Sequence, residues 1–156
     1  MSKTKLVIGL GNVLLKDEGA GVRCVEYLKK MWPTEDMELV DGGTSGFAIL
    51  EVIKEFKKTV IVDAVDMGKE PGYIASFDAE RVLSLSHRPK FSLHEIDLVD
   101  VIQVGEKIGY NFKNVKIVGI QPQEVSRGDT LSETVEKKMP VLAERVLKEI
   151  NNQGSG

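Results

Sequence analysis

Lys5-Leu6-Val7-Ile8-Gly9-Leu10-Gly11 opens the chain with a short apolar run closed by glycine, and its reading decides the fold. A continuous apolar run of this length, bounded by a turn residue, predicts a strand buried on both faces of a parallel sheet. A polar loop follows, Asn12 to Glu18, and then helical spacing. From about Gly19 to Met31, Ala20, Cys24, Tyr27, Leu28 and Met31 share one face, while Arg23, Glu26, Lys29 and Lys30 are polar. Pro33 closes the region.

The alternation continues along the chain. Met37 to Val40 predicts a second strand, stopped by Asp41-Gly42-Gly43, with a helix after it from about Gly46 to Phe56. Thr59 to Val62 predicts a third strand ending at Asp63, and Gly72 to Phe77 a fourth at an edge, after a Pro-Gly turn. Ser92-Leu93-His94-Glu95 fits a capping box and starts a helix to about Ile108. Val115 to Ile120 is a fifth strand, and Leu131 to Ile150 a last helix with Pro140 as a kink. The order β-α-β-α-β-β-α-β-α implies an α/β protein with a mostly parallel sheet and helices on both faces. In such sheets ligands bind beyond the carboxyl ends of the strands.

The bulk properties bound the function. A chain of 156 residues suits one domain, expected over residues 1–150, with 151–156 a flexible polar tail. Its 42% hydrophobic and 29% charged content is ordinary for a globular protein. A net charge of -3 gives no basic patch and argues against nucleic acid. No window approaches the roughly 20 apolar residues of a membrane span, and the polar start lacks a signal peptide's apolar core. One cysteine precludes an intrachain disulfide and fits a reducing cytoplasm.

Three strand ends carry polar, Gly-rich turns: Gly9-Leu10-Gly11-Asn12 with Asp17-Glu18-Gly19-Ala20-Gly21, then Asp41-Gly42-Gly43-Thr44-Ser45-Gly46, then Asp63-Ala64-Val65-Asp66. A dinucleotide loop is the first suspect, but the third glycine position holds Leu14, and Asp17 and Glu18 would repel phosphate. Glu18, Asp63 and His94 instead form an O/O/N set from three segments, suited to divalent Zn, Ni, Co or Mn. His94 near a helix amino end would be held in the neutral form that a metal needs. Each also has a plain reading: Glu18 complements a helix start, Asp63 caps a turn, and His94 is a surface member of the capping box. Cys24 reads as a core residue rather than a nucleophile. Ser45 lacks a Gly-x-Ser-x-Gly elbow, and His87 lies in a loop with nothing near it to define a role. An acidic pair of Asp63 and Asp66 is conceivable, though nothing in their spacing makes them meet.

Taken together, these motifs resemble the nickel–iron hydrogenase maturation endopeptidases. Gly9-x-Gly11-Asn12-x-Leu14-x-x-Asp17-Glu18-x-x-Gly21 is similar to their N-terminal signature. Asp41-Gly42-Gly43-Thr44-x-Gly46, Val62-Asp63-Ala64-Val65-Asp66 with Pro71-Gly72, and Ser92-x-His94-x-x-Asp97-Leu98 resemble the later ones, as does Val118-Gly119-Ile120-Gln121-Pro122 near the end. The likeness runs from about residue 5 to 148.

The resemblance implies a three-layer α/β/α sandwich with a twisted, mostly parallel five-stranded sheet. It implies a cytoplasmic endopeptidase, a monomer, that removes a C-terminal extension from a hydrogenase large-subunit precursor after nickel insertion. The family's metal positions fall on Glu18, Asp63 and His94, with Glu18 standing where many relatives have Asp. Asp41, Gly42, Gly43 and Thr44 would support substrate or loop. The nickel would come with the substrate, other divalent ions being able to substitute. With no convincing nucleophile in the sequence, direct attack by water is preferred. The alternative is a non-catalytic metal-sensing chaperone for the same precursor.

Overall fold

The computed structural model describes residues 4–84, 90–91 and 98–152. Ten regular elements follow in chain order: β1 (Lys5–Leu10), α1 (Ala20–Met31), β2 (Met37–Gly43), α2 (Ala48–Ile53), β3 (Lys58–Asp66), β4 (Ile74–Asp78), β5 (Lys90–Phe91), α3 (Leu98–Lys107), β6 (Val115–Ile120) and α4 (Glu133–Asn151). Two 3-10 turns, Lys16–Gly19 and Ala79–Ser84, complete them. The main sheet runs β2-β1-β3-β6-β4, parallel except for β4, which pairs antiparallel with β6 at the edge. This is the five-stranded, mostly parallel sheet that the alternation predicts. The short β5 pairs antiparallel with the end of β3, off that path.

Period-two alternation divides the strands' side chains between two cores. On one face Leu6, Ile8, Leu10, Ile61 and Val65 pack under α2, the second 3-10 turn and α3, through Ile49, Leu50, Val82, Leu98 and Ile102. On the other, Val7, Val60, Val62, Val118 and Ile120 pack under α1 and α4, through Cys24, Leu28, Leu142 and Val146. The result is a three-layer α/β/α sandwich. The chain leaves β1 for β2 on one side and returns to β3 on the other, which puts a topological switch point at the carboxyl end of β1.

Some boundaries differ from the local reading. β3 does not end at Asp63 but continues to Asp66, because β6 pairs with Asp63 and Ala64, and β5 with Val65 and Asp66. Those partners are remote in sequence, so no local signal announces them. α2 is shorter than predicted, Ala48–Ile53, since Gly46 takes a positive φ of 60° that ends the loop, not a helix turn. α3 is described from Leu98; its expected first residues, with the capping box, lie outside the described residues. α4 starts one residue after Ser132, whose Oγ accepts the amide of Val135 as an N-cap, and it reaches Asn151. Pro140 does not interrupt it. Both Pro140 and Glu136 are exposed, so the position where the helical hydrogen bond is lost lies on the solvent side of the helix. Among the described residues, no helix is long and apolar enough to cross a membrane.

Candidate functional site at the carboxyl edge of the sheet

The register aligns the three polar strand ends. Gly9 of β1 pairs with Asp41 of β2 and Val62 of β3, so Asp63 stands one step further toward the carboxyl edge. A register shift after Gly9 lets Leu10 pair with Gly43, opening β2 at its end. The 3-10 turn Lys16–Gly19 packs against β3. Glu18 on that turn and Asp63 on the strand are thereby brought to one end of the sheet.

Backbone packing fixes this approach. A Cβ on Gly9 would stand 2.2 Å from the carbonyl oxygen of Gly21, and one on Gly21 would stand 2.1 Å from that of Val62. A Cβ on Gly11 would stand 1.9 Å from the carbonyl oxygen of Glu18, and its φ of 135° suits glycine alone. The glycines of the first loop therefore serve contact between the turn, α1 and the strands. That packing accounts for the glycines without a bound nucleotide, and the third glycine position of a dinucleotide loop holds Leu14.

The two carboxylates are buried, Glu18 at 1% and Asp63 at 0% relative exposure. Asp63 Oδ1 accepts the amide of Ala64 at 2.9 Å. Alternation places Asp63 with Ile61 and Val65, on the face covered by α2 and α3. It lies inside a strand, so it does not cap a turn. Asp66, three residues on, belongs to the opposite face and is exposed; its Oδ1 accepts from Gly68 N and Gln121 Nε2. Asp63 and Asp66 are not an acidic pair.

Asp41 is exposed, and its Oδ1 accepts the amide of Gly43 at 2.9 Å. Ser45 Oγ donates to the Gly42 carbonyl, and Gly43 holds a φ of 49°. Gly42 packs under Ile8 and Leu10, where a Cβ would come within 2.9 Å of either side chain. Thr44 is exposed at the tip of this loop. Cys24 lies fully buried in the α1–α4 core, and desolvation pushes its thiol up to about 12, which leaves it no thiolate for nucleophilic work.

His94 and His87 lie outside the described residues. With both histidines outside, no group of three or more His, Cys, Asp or Glu placed to hold a metal occurs among the described residues. Two residues that the sequence reading left without a role stand out. Asp17, fully buried, accepts four hydrogen bonds: from Gln123 N, Glu124 N, Ser132 N and Ser132 Oγ. Gln121, at the end of β6, accepts from Met67 N and Lys69 N and donates to Asp66, securing the turn after β3. Polar residues flanking a buried strand or helix were the available signal, but their partners were not legible.

Fold and site together define a doubly wound α/β protein with buried carboxylates at the switch point and a single cysteine held as a buried thiol. The chain belongs to the hydrogenase maturation protease family, whose model matches residues 22–149. It is 34% identical over 151 residues to the hydrogenase 2 maturation protease of Escherichia coli K12, covering 96% of this chain and 92% of that one. It is 33% identical to the hydrogenase expression/formation protein HupD of Rhodobacter capsulatus, covering 96% of this chain and 72% of the relative. Among solved structures, the hydrogenase maturating endopeptidase HybD from E. coli superposes with a TM-score of 0.82 at 32% identity, over 96% of this chain and 93% of that chain. The family makes the protein a hydrolase of hydrogenase maturation.

Proposed function

We propose that this protein cleaves the C-terminal extension from a nickel-loaded hydrogenase large-subunit precursor, and that it reads the nickel through Glu18, Asp63 and His94. The observation that carries the reading is the pair of buried carboxylates, Glu18 and Asp63, at the carboxyl edge of the sheet in a member of this family. Burial of two carboxylates is costly unless each meets a donor or a cation. The donor chemistry is right for nickel: two oxygens and an imidazole nitrogen suit a borderline divalent ion, and other ions of that class fit the same set. Chain connectivity also supports the third ligand. Phe91, three residues before His94, pairs with Val65, two residues after Asp63, and Leu98 begins α3 on the face to which Asp63 belongs.

In this reading nickel is part of the substrate. Three side-chain ligands leave positions open for groups the precursor already places on its ion. Precursor without nickel would lack the bridging atom, so metal status and cleavage become linked. Hydrolysis needs water oxygen to bond to the scissile carbonyl carbon, the C–N bond to break, and a proton to reach the leaving amine. With Cys24 held as a buried thiol, direct attack by water is the consistent route. In this reading Asp41, Gly43 and Thr44 line the loop over which an extended precursor tail would pass, and Gly42, packed under Ile8 and Leu10, supports that loop.

The test is to incubate the purified protein with its host's precursor, with and without inserted nickel, and to weigh the products. Loss of a C-terminal peptide from the nickel-loaded form alone, abolished by His94→Ala in a folded variant, is the expected result. Cleavage of both forms removes nickel as the signal. Normal cleavage by His94→Ala overturns the ligand assignment, and stable binding with no change in mass moves the protein to the chaperone reading.

A further inference from the structure

The 3-10 turn that carries Glu18 is fastened to the far end of the chain. Its Lys16 amide donates to Gly128 O at 3.0 Å, and its Asp17 amide to Glu124 O at 3.0 Å. Lys16 Nζ pairs with Glu124 Oε1 at 3.0 Å. At the centre is the Asp17 carboxylate, whose Oδ2 accepts Gln123 N and Glu124 N at 2.9 Å and Ser132 Oγ at 2.6 Å, while Oδ1 accepts Ser132 N at 2.8 Å. Ser132 is also the N-cap of α4. Four short bonds to one buried carboxylate are strong ones, charge-assisted and desolvated. They tie the β6–α4 loop and the start of α4 to the residue next to Glu18. Lys16 pays a positive φ of 47°, uncommon for a residue with a side chain, to make the turn fit.

We propose that Asp17 is the positioning residue for Glu18. It does not touch the substrate; it fixes the turn from which Glu18 is presented, using the β6–α4 loop as an abutment. This rests on the reading of Glu18 given above. The chemistry of the clamp demands a carboxylate. All four partners donate at the two oxygens, and a carboxamide must turn its amino group either toward Ser132 N–H or toward the amides of Gln123 and Glu124.

The experiment compares Asp17→Asn, Glu18→Gln and the double variant on the nickel-loaded precursor, with Ile53→Ala as a control of lowered stability in the core under α2. All are assayed well below their melting temperatures. Asp17→Asn is expected to lower kcat/KM about tenfold or more, Ile53→Ala to stay within about twofold, and the double variant to match Glu18→Gln alone. A residue that acts through Glu18 adds nothing once Glu18 is impaired, whereas general destabilisation multiplies with it. An Asp17→Asn effect no larger than that of Ile53→Ala, or one that multiplies with Glu18→Gln, overturns the proposal while leaving Glu18 its role. Wild-type cleavage by Glu18→Gln removes the role of Glu18 and the proposal with it. Should Asp17→Asn fail to fold, Ser132→Ala, which deletes one donor to Asp17 together with the N-cap of α4, carries the same cycle at a smaller scale, about threefold, and multiplication with Glu18→Gln, the mark of the lost cap acting through stability alone, counts against the proposal there too.

Discussion

Gly21 of α1 lies directly on the carbonyl of Val62, so close that a Cβ on Gly21 would stand 2.1 Å from that oxygen. Gly21 follows Glu18 by three residues and Val62 precedes Asp63 by one, so this contact sets the separation of the two buried carboxylates. Leu10 O, 2.4 Å from the same point, closes the space from β1. Gly21→Ala must therefore push α1 off the sheet. It is expected to cost about 3 kcal/mol or more, at the upper end for overpacking, measured by urea denaturation, and to lower cleavage in any fraction that folds. A variant as stable as wild type would contradict the packing.

Cys24 offers a test of the chemistry. Its thiol is buried under α1 and raised to about 12, so at neutral pH it stays protonated and sheltered. The native protein should not react with a thiol reagent until it unfolds in denaturant. Cys24→Ala should lose roughly 1 kcal/mol from the missing sulfur contacts and keep its cleavage activity. Loss of activity in a folded Cys24→Ala protein would bring a thiol nucleophile back into the mechanism.

Gln121 holds the turn after β3 with both ends of its side chain. Gln121→Ala leaves the amides of Met67 and Lys69 without that acceptor; Met67 is half-buried and Lys69 exposed, so water takes its place and the loss is about 1 kcal/mol. Hydrogen exchange should report it locally: the Met67 and Lys69 amides exchange faster, while those of β1 do not change. Unaltered exchange at both positions would show that the side chain does not hold the turn.

The Lys16–Glu124 pair predicts a pH dependence. The hydrogen bond from Lys16, then that from Ser126, holds the Glu124 carboxyl below its ordinary value near 4.5. A depressed folded value means that the stabilisation is present above the unfolded value and is lost as pH falls through the folded one. Glu124 is half exposed, so the effect is small and screened by salt. The denaturation midpoints of wild type and Glu124→Gln should differ near neutral pH in low salt and converge as the pH falls below the ordinary carboxylate range. A gap that persists or grows on acidification would reverse the sign of the coupling.

The sequence by itself determined the class of fold and the strand ends that carry the candidate site residues. β1 and β6 match their expected bounds residue for residue: β1 is an apolar run closed by Gly11, and β6 is a mostly buried run, broken only by Lys116, that ends before Gln121-Pro122. Period-3.6 spacing located α1, and the change from apolar to polar residues along the strands singled out Glu18, Asp63 and Asp41 as candidates. What the tertiary structure decided lies in pairings between distant segments. β3 runs on to Asp66 only because β6 and β5 supply ladder partners. Asp17 becomes a hub only because its donors come from residues 106 to 115 positions away. Gly21 is required only because Val62 arrives beneath it. Local sequence encodes which faces are apolar and where the chain turns. It does not encode which remote backbone group closes on which side chain, since that follows from the register of strands and the docking of helices once both cores have formed.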